Sequence, residues 1–448
     1  LCHCLHCLRV LARSALLVRV RVLGGKLVML MLALLLLVLL RVVLRVMRVM
    51  VLVLVLLLLC LTLQQSRSNT IRNTASATVQ QFVALLLDAV AAEKPVADGA
   101  PPIASGTALK PPSPEALAGL SVAARCAFMA VQDLCLLANG EPALWLPGSG
   151  PVSVPFAFEV INRTLASHAP LFMSFMPFTF LLRERCCALV LKTMQQPAQE
   201  WPVALRLSHL TSTLLANYTR VLRTETEILL SVLSKTAANE TAPTWQRVLA
   251  LEACRVVAVD TALLRQLFEG YDKPTASSSL FAPFTSATCA LLKAPSFHFQ
   301  SRAEPIEALF LASHRVSASA RGRTFNVALY SDVDGTQLTT DHVAALAVEC
   351  QVSIAKAIGT LGEQIRDIDD GEIVTVVTAP DGGIDASGGG REAEVGVVRE
   401  MVGACWKPLL GALSLLMASF GREEAVQAVL KCYQAFTQAC GTLSLNAP

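Results

Sequence analysis

A few short stretches carry residue types that bind metals or move protons. The leading run "LCHCLHC" offers Cys2, His3, Cys4, His6 and Cys7. Zinc takes such ligands when a second pair follows at a distance. None follows, so repetitive sequence is the better reading. "DIDDGE" (367–372) and "SDVDGT" (331–336) resemble calcium loops, in which acidic oxygens wrap a cation around a glycine at the sixth position. In both, the glycine comes one position early, and each reads as a solvated acidic turn. His168, His209 and His342 lie in or beside helical patterns with no acid partner at useful spacing, the mark of surface or capping histidines. Beyond the first residues the tightest cysteine pair is the adjacent Cys186-Cys187, whose side chains diverge by about 100° on a helix. No strand–loop–helix phosphate cradle, nucleophile elbow or paired-histidine zinc helix occurs in a fitting context. The expectation is a chain with no catalytic residues, no cofactor and no metal site.

Composition explains what such a chain can be. Of 448 residues, 54% are apolar and only 16% charged, with mean hydropathy +0.54. That is too apolar for disorder and long for one compact core. No Asp or Glu precedes Asp88, whereas ten Lys and Arg do, leaving 27 basic residues against 34 acidic in the remainder. This mildly acidic body has no basic stripe for phosphates, which argues against nucleic acid. Its scattered cysteines sit in apolar helical patterns, as expected of reduced thiols in the cytosol. The glycosylation-type triplets at Asn162, Asn217 and Asn239 read as chance matches.

Residues 1–62 stand apart, being almost wholly Leu, Val, Met, Arg and Cys. Apolar runs at 27–40 and 49–63 are separated by Arg41, Arg45 and Arg48. A spanning helix needs about 20 apolar residues, and a central Arg costs roughly 2.5–3.5 kcal/mol on insertion scales. Each run is too short, and the merged run buries three arginines. A marginal membrane segment over 27–63, a leader, and a low-complexity or artefactual tract without a fold of its own compete here. The tract reading fits best.

From Leu63 onward the apolar spacing is helical. Val79, Phe82, Val83, Leu86 and Val90 make one stripe, ending at Lys94-Pro95. A Pro/Gly/Ser-rich linker follows at 96–115. Leu117 to Ala138 then predicts one long helix, closed by Asn139 or Gly140 and forbidden to continue by Pro142, with Trp145 returning as an apolar anchor. In "FLLRERCCALVLKTM" the apolar face is Leu182, Cys186, Leu189, Val190 and Met194, while Arg183, Glu184, Arg185 and Lys192 face water. Thr224-Glu-Thr-Glu227 has the form of a capping box opening the helix of Ile228, Leu229, Val232 and Leu233. Asp260 caps another helix. Further helices are predicted at 339–366, 395–419 and 422–442, around a Gly/Asp-rich loop at 367–394 whose "IVTVVT" (373–378) could pair as a strand. Helix pairs on short turns predict an all-α fold, an armadillo/HEAT-like helical solenoid.

The blocks "VQDLCLLANGEPALWL", "FLLRERCCALVLKTM", "TETEILLSVLSK" and "WQRVLALEACRVVAVDTALLRQLFEGYDKP" resemble the homology-upstream (HUS) domain of large Golgi Arf exchange factors, in particular the Mon-two (Ysl-two) branch related to the Sec-seven/BIG factors. "NTIRNTASATVQQFVALLLDAV" resembles the end of the dimerisation and cyclophilin-binding (DCB) domain, and "MVGACWKPLLGALSLLMASFGREEAVQAVLKCYQAFTQACG" a later helical region of Mon-two proteins. The resemblance implies a DCB end at 63–95, a HUS domain at 116–293, an irregular connector at 294–338 and further helical repeats at 339–448. The HUS box of exchange factors reads Asn-Tyr-Asp-Cys; here Gly270-Tyr271-Asp272-Lys273 keeps only the central pair. Tyr271 would pack under a helix end and Asp272 would cap or pair locally; a plain helix-stop turn is the alternative. The resemblance omits the catalytic exchange domain. It implies a non-catalytic scaffold for vesicle-mediated protein transport, peripheral on the cytosolic face of trans-Golgi and endosomal membranes. Its implied partners are a Dopey-type scaffold, an Arf-like GTPase and an aminophospholipid flippase, together with a homodimer. The alternatives are the regulatory end of an active Arf exchange factor, or an integral membrane protein with a helical cytosolic domain.

Overall fold

The computed structural model describes residues 51–93, 109–149, 152–196, 199–273, 279–293, 299–317, 324–369 and 389–443. The cysteine–histidine run, most of the linker, most of the acidic motif at 367–372 and the strand candidate at 373–378 lie outside them, as do residues 27–50 of the apolar tract. Every regular element among the described residues is helical, and the chain is all-α in the armadillo/HEAT-like manner. Two compact units divide it: residues 1–97 with 107–189, and 98–106 with 190–448. The division falls inside the block expected as one HUS domain.

The first unit contains α1 (Val51–Leu63), α2 (Asn69–Glu93), α3 (Pro114–Ala118), α4 (Val122–Ala138), α5 (Val154–Ser167), α6 (Ala169–Ser174) and α7 (Met176–Phe180). A π-helical segment, Leu181–Cys187, follows and runs into α8 (Ala188–Met194). The tract expected to lack a fold is helical from Val51, and buries Val53, Leu57, Cys60 and Leu61 while Val51, Leu52, Val55 and Leu59 stay exposed. In α2 the buried stripe is Ala75, Val79, Val83, Leu87 and Val90, a four-residue repeat that sets the helix against α4 and α5. The single long helix expected up to Ala138 is two, because the Ser121 hydroxyl accepts from the Ala124 N–H at 3.1 Å and restarts the chain as α4. α4 closes at Gly140, whose φ of 77° needs a residue without Cβ. Buried Asp133 then accepts from the N–H groups of Leu144, Trp145 and Leu146 at 2.9, 2.8 and 2.7 Å. Leu146, 2% exposed, is the apolar anchor, in place of the expected Trp145, which is half-buried. The π segment inserts an extra residue per turn and re-phases the face. Arg183, expected in water, is therefore buried, alongside Leu181, Leu182, Cys186 and Cys187.

The second unit holds α9 (Trp201–Asn217), α10 (Arg223–Ala238), α11 (Thr244–Val259), α12 (Thr261–Leu267) with a π-helical end Phe268–Asp272, and α13 (Phe281–Leu292). α14 (Phe299–Ser317), α15 (Val327–Ser331), α16 (Thr340–Asp369), α17 (Gly389–Ser419) and α18 (Glu423–Thr442) complete it. α14 corrects the irregular connector: Ile306 and Phe310, four apart and both fully buried, give it a core face despite Pro305. α16 is the central rod, packed by α11, α13, α14, α17 and α18. Burying Val343, Val348, Val352, Ile354 and Ile358 around its circumference demands neighbours on all sides. Gly359 and Gly362 let α18 approach, since a Cβ on Gly359 would stand 2.7 Å from the Ala435 Cβ. The turn at Gly335 fits under the T-shaped pair Trp201 and Trp245. Among the described residues, three helices are long and apolar enough to cross a membrane by length and composition: α2, Thr340–Ile365 and Val395–Ser419. For Thr340–Ile365, 89% of that window is buried within the protein.

Candidate interaction site

The box Gly270-Tyr271-Asp272-Lys273 sits where α12 ends in its π turn. Asp260 starts that helix by accepting the Leu263 N–H at 3.1 Å, so Leu263, Leu264, Leu267 and Phe268 face inward and Tyr271 continues the buried side. The Tyr271 ring is 4% exposed, and its hydroxyl donates to the Arg223 carbonyl at 2.7 Å. The Arg223 guanidinium lies over the ring, 5.7 Å from its centroid, and also donates to the Gly270 carbonyl. Burial pushes the Tyr271 phenol up to about 12, so it remains a donor at any physiological pH.

Asp272 works on the other side. Its carboxylate accepts the N–H groups of Leu280, Phe281 and Ala282 at 2.9, 2.7 and 3.2 Å, and the Ser279 hydroxyl at 2.6 Å. These are the orphan donors at the start of α13, where a negative charge also meets the favourable end of the helix dipole. Tyr271 and Asp272 thus tie the starts of α10 and α13 to the end of α12. The joint presents Arg223, Thr224 and Ser279 to solvent.

Arg223 was not legible as part of this joint, since nothing in sequence links it to a tyrosine 48 positions away. Its role also corrects the capping box. α10 begins at Arg223, one residue before Thr224, with no side-chain cap at its N-terminus, because the contacts to Gly270 and Tyr271 hold its first turn.

The other candidates serve as structure. Asp334 caps the short turn Gly335–Gln337. His168, expected to lack an acid, has its Nε2 2.9 Å from an Asp88 carboxylate oxygen 80 residues away. His314 meets Glu349 likewise at 3.0 Å. His209 stacks on Phe325, and burial, then nearby Arg206, lowers its pKa to about 4. Cys186 lies 3.6 Å from the Cys135 sulfur; that contact and burial push its thiol well above the ordinary range. Burial alone takes Cys254 to about 12. Thiols so raised are poor nucleophiles and poor metal ligands at neutral pH. Among the described residues, no group of three or more His, Cys, Asp or Glu is placed to hold a metal ion.

Residues 123–280, which include Arg223, Tyr271 and Asp272 of the joint, match the profile of the Mon2/Sec7/BIG1-like HUS domain. The chain is a homologue of the Mon2 proteins. Over 86% of its length it is 25% identical to the Protein MON2 homolog of Homo sapiens and 23% identical to that of Xenopus laevis. It is 25% identical, over 47% of its length, to the Monensin-resistant homolog 2 of Caenorhabditis elegans. The chain spans about a quarter of the human and Xenopus proteins and 14% of the nematode one. Within the matched domain, Asp272 is the residue whose side chain takes the most backbone donors in the joint.

Proposed function

We propose that the chain is the HUS-bearing part of a non-catalytic scaffold for vesicle-mediated protein transport between the trans-Golgi and endosomes, working on the cytosolic face of the membrane. The observation that carries this reading is the HUS-domain match together with what its box does. Tyr271 and Asp272 spend their polar groups on the starts of α10 and α13, which is the work of a rigid platform and commits both residues to structure. A platform of stacked helices offers extended faces for several partners at once. The partners proposed for those faces are a Dopey-type scaffold, an Arf-like GTPase, an aminophospholipid flippase and a second copy of the chain. The test is the distribution of the tagged chain in cells. Overlap with trans-Golgi and endosomal markers, with release from membranes by alkaline carbonate, supports the reading. A diffuse signal rejects the site of action, and retention in the membrane pellet rejects the peripheral mode.

A further inference from the structure

A cavity of about 360 Å³ opens in the second unit, between α11, α14, α15 and α16 and away from the joint. Its polar wall is on α11, where Arg255 is 1% exposed and Glu252 2%. Arg255 donates to the two Glu252 oxygens at 2.9 and 2.7 Å, to the Ser317 hydroxyl at 3.2 Å and to the Thr324 carbonyl at 3.0 Å. Glu252 also accepts the Asn326 N–H at 3.2 Å. The two charges cancel, and the pair straps residues 324–326 onto α11. The remaining walls are mainly apolar, with Leu309, Val316, Leu329, Val333, Leu338 and Leu346. Ser313, Asn326, Gln337 and His342 add polar points, as does Tyr330, which is hydrogen-bonded to Glu252.

The state of His342 follows from its neighbour. The backbone N–H of Thr339 donates to Nδ1 at 3.2 Å, and a backbone N–H can only donate. Nδ1 therefore keeps its lone pair, and the neutral ring carries its proton on Nε2. Burial lowers the pKa of this ring, which holds it neutral. In this state the ring has one N–H donor, and His342 is among the residues lining the cavity.

We infer that this cavity binds a lipid with a single unbranched acyl chain and an uncharged, oxygen-bearing head. Size comes first: an apolar cavity near 150 Å³ accommodates benzene, so on that scale this one takes a chain of roughly 12–14 carbons. Shape comes second. Ala312 and Leu329 are exposed, whereas Arg255 is among the most deeply buried residues, so the recess runs from the surface to the core. A thin chain follows such a path, and apolar walls around a few polar points are what ligand cavities present. Charge comes third. The Arg255 donors are committed to Glu252, Ser317 and Thr324, so no cation is offered to a carboxylate or phosphate head. The His342 N–H and the Gln337 amide suit an ester carbonyl or a hydroxyl.

The inference is independent of the trafficking reading and is tested on the full chain. Monoacylglycerols with eight-, twelve- and sixteen-carbon chains, and laurate, are titrated calorimetrically below their aggregation thresholds. The expected result is saturable binding of one lipid per chain. Affinity rises at least about tenfold from eight to twelve carbons and then levels, and laurate binds about tenfold more weakly than its glycerol ester. Ala312→Trp, at an exposed position on the rim, abolishes binding while the helical spectrum and melting curve stay as in the parent. A lauroyl diazirine probe checks the site without any substitution and labels residues 309–316 and 338–346. Absence of saturable binding, affinity that keeps climbing at sixteen carbons, unchanged binding by Ala312→Trp, or labelling confined elsewhere would each overturn the inference.

Discussion

Replacing Asp272 by alanine removes the acceptor of three backbone N–H groups and one hydroxyl at the start of α13. Water replaces it poorly, because Phe281 and Phe284, fully buried and 2% exposed, close the first turn. Loss of a helix cap costs about 0.5–2 kcal/mol, and hydrogen bonds to a charged group about 1.5–3 kcal/mol. The bonds share one carboxylate and are not additive, so the expected loss is about 2–3 kcal/mol. For a unit of this size that lowers the melting temperature by roughly 4–9 °C. Asp272→Asn keeps one acceptor oxygen and should lose about half as much. Ser279→Ala, at an exposed hydroxyl, should lose under about 1 kcal/mol. Urea unfolding followed by circular dichroism, with thermal melts alongside, reads all three. The ordering Ala, then Asn, then Ser279→Ala is what the geometry requires. Losses within about 0.5 kcal/mol of the parent for both Asp272 variants would refute the capping role.

Other substitutions probe the core. Gly359→Ala gains about 1 kcal/mol in helix propensity but drives a methyl group against Ala435, so a net loss of about 1–2 kcal/mol in urea midpoints is expected. Arg255→Met leaves Glu252 as an uncompensated buried charge and should cost about 3–5 kcal/mol, whereas Glu252→Leu combined with Arg255→Met should recover much of that loss in the same assay. His209 adds a pH dependence. Its folded pKa, about 4, lies below the ordinary 6.5, so the unfolded chain takes up its proton first on acidification. Stability is full above pH 6.5 and falls by up to about 3 kcal/mol toward pH 4. His209→Phe should flatten that part of a pH series of urea midpoints.

Helix-by-helix legibility varied with how local the deciding physics was. α4 ends where Asn139-Gly140 and Pro142 require, and α12 begins at its Asp260 cap, because stop and start signals act within a few residues. The Ser121 cap is equally local, but the apolar stripe running through it masks the break between two helices. α14 could have been found from Ile306 and Phe310, but Pro305 obscured the repeat. The π segment at 181–187 had no signal in composition, and its re-phasing carried Arg183 from the expected water-facing side to the interior. At the joint, Tyr271 and Asp272 could be singled out by residue type and resemblance. Their partners Arg223 and Leu280 to Ala282 depended on which helix ends the fold brings together. The Asp88–His168 and Glu349–His314 pairs were invisible for the same reason.

The proposed action by binding and not by turnover is tested most directly by nucleotide release from an Arf-family GTPase. The full chain is titrated over the GTPase loaded with a fluorescent GDP, with an isolated Sec7-type exchange domain as positive control. The release rate is expected to stay at its spontaneous value at every chain concentration. A rate that rises in proportion to the chain would contradict it.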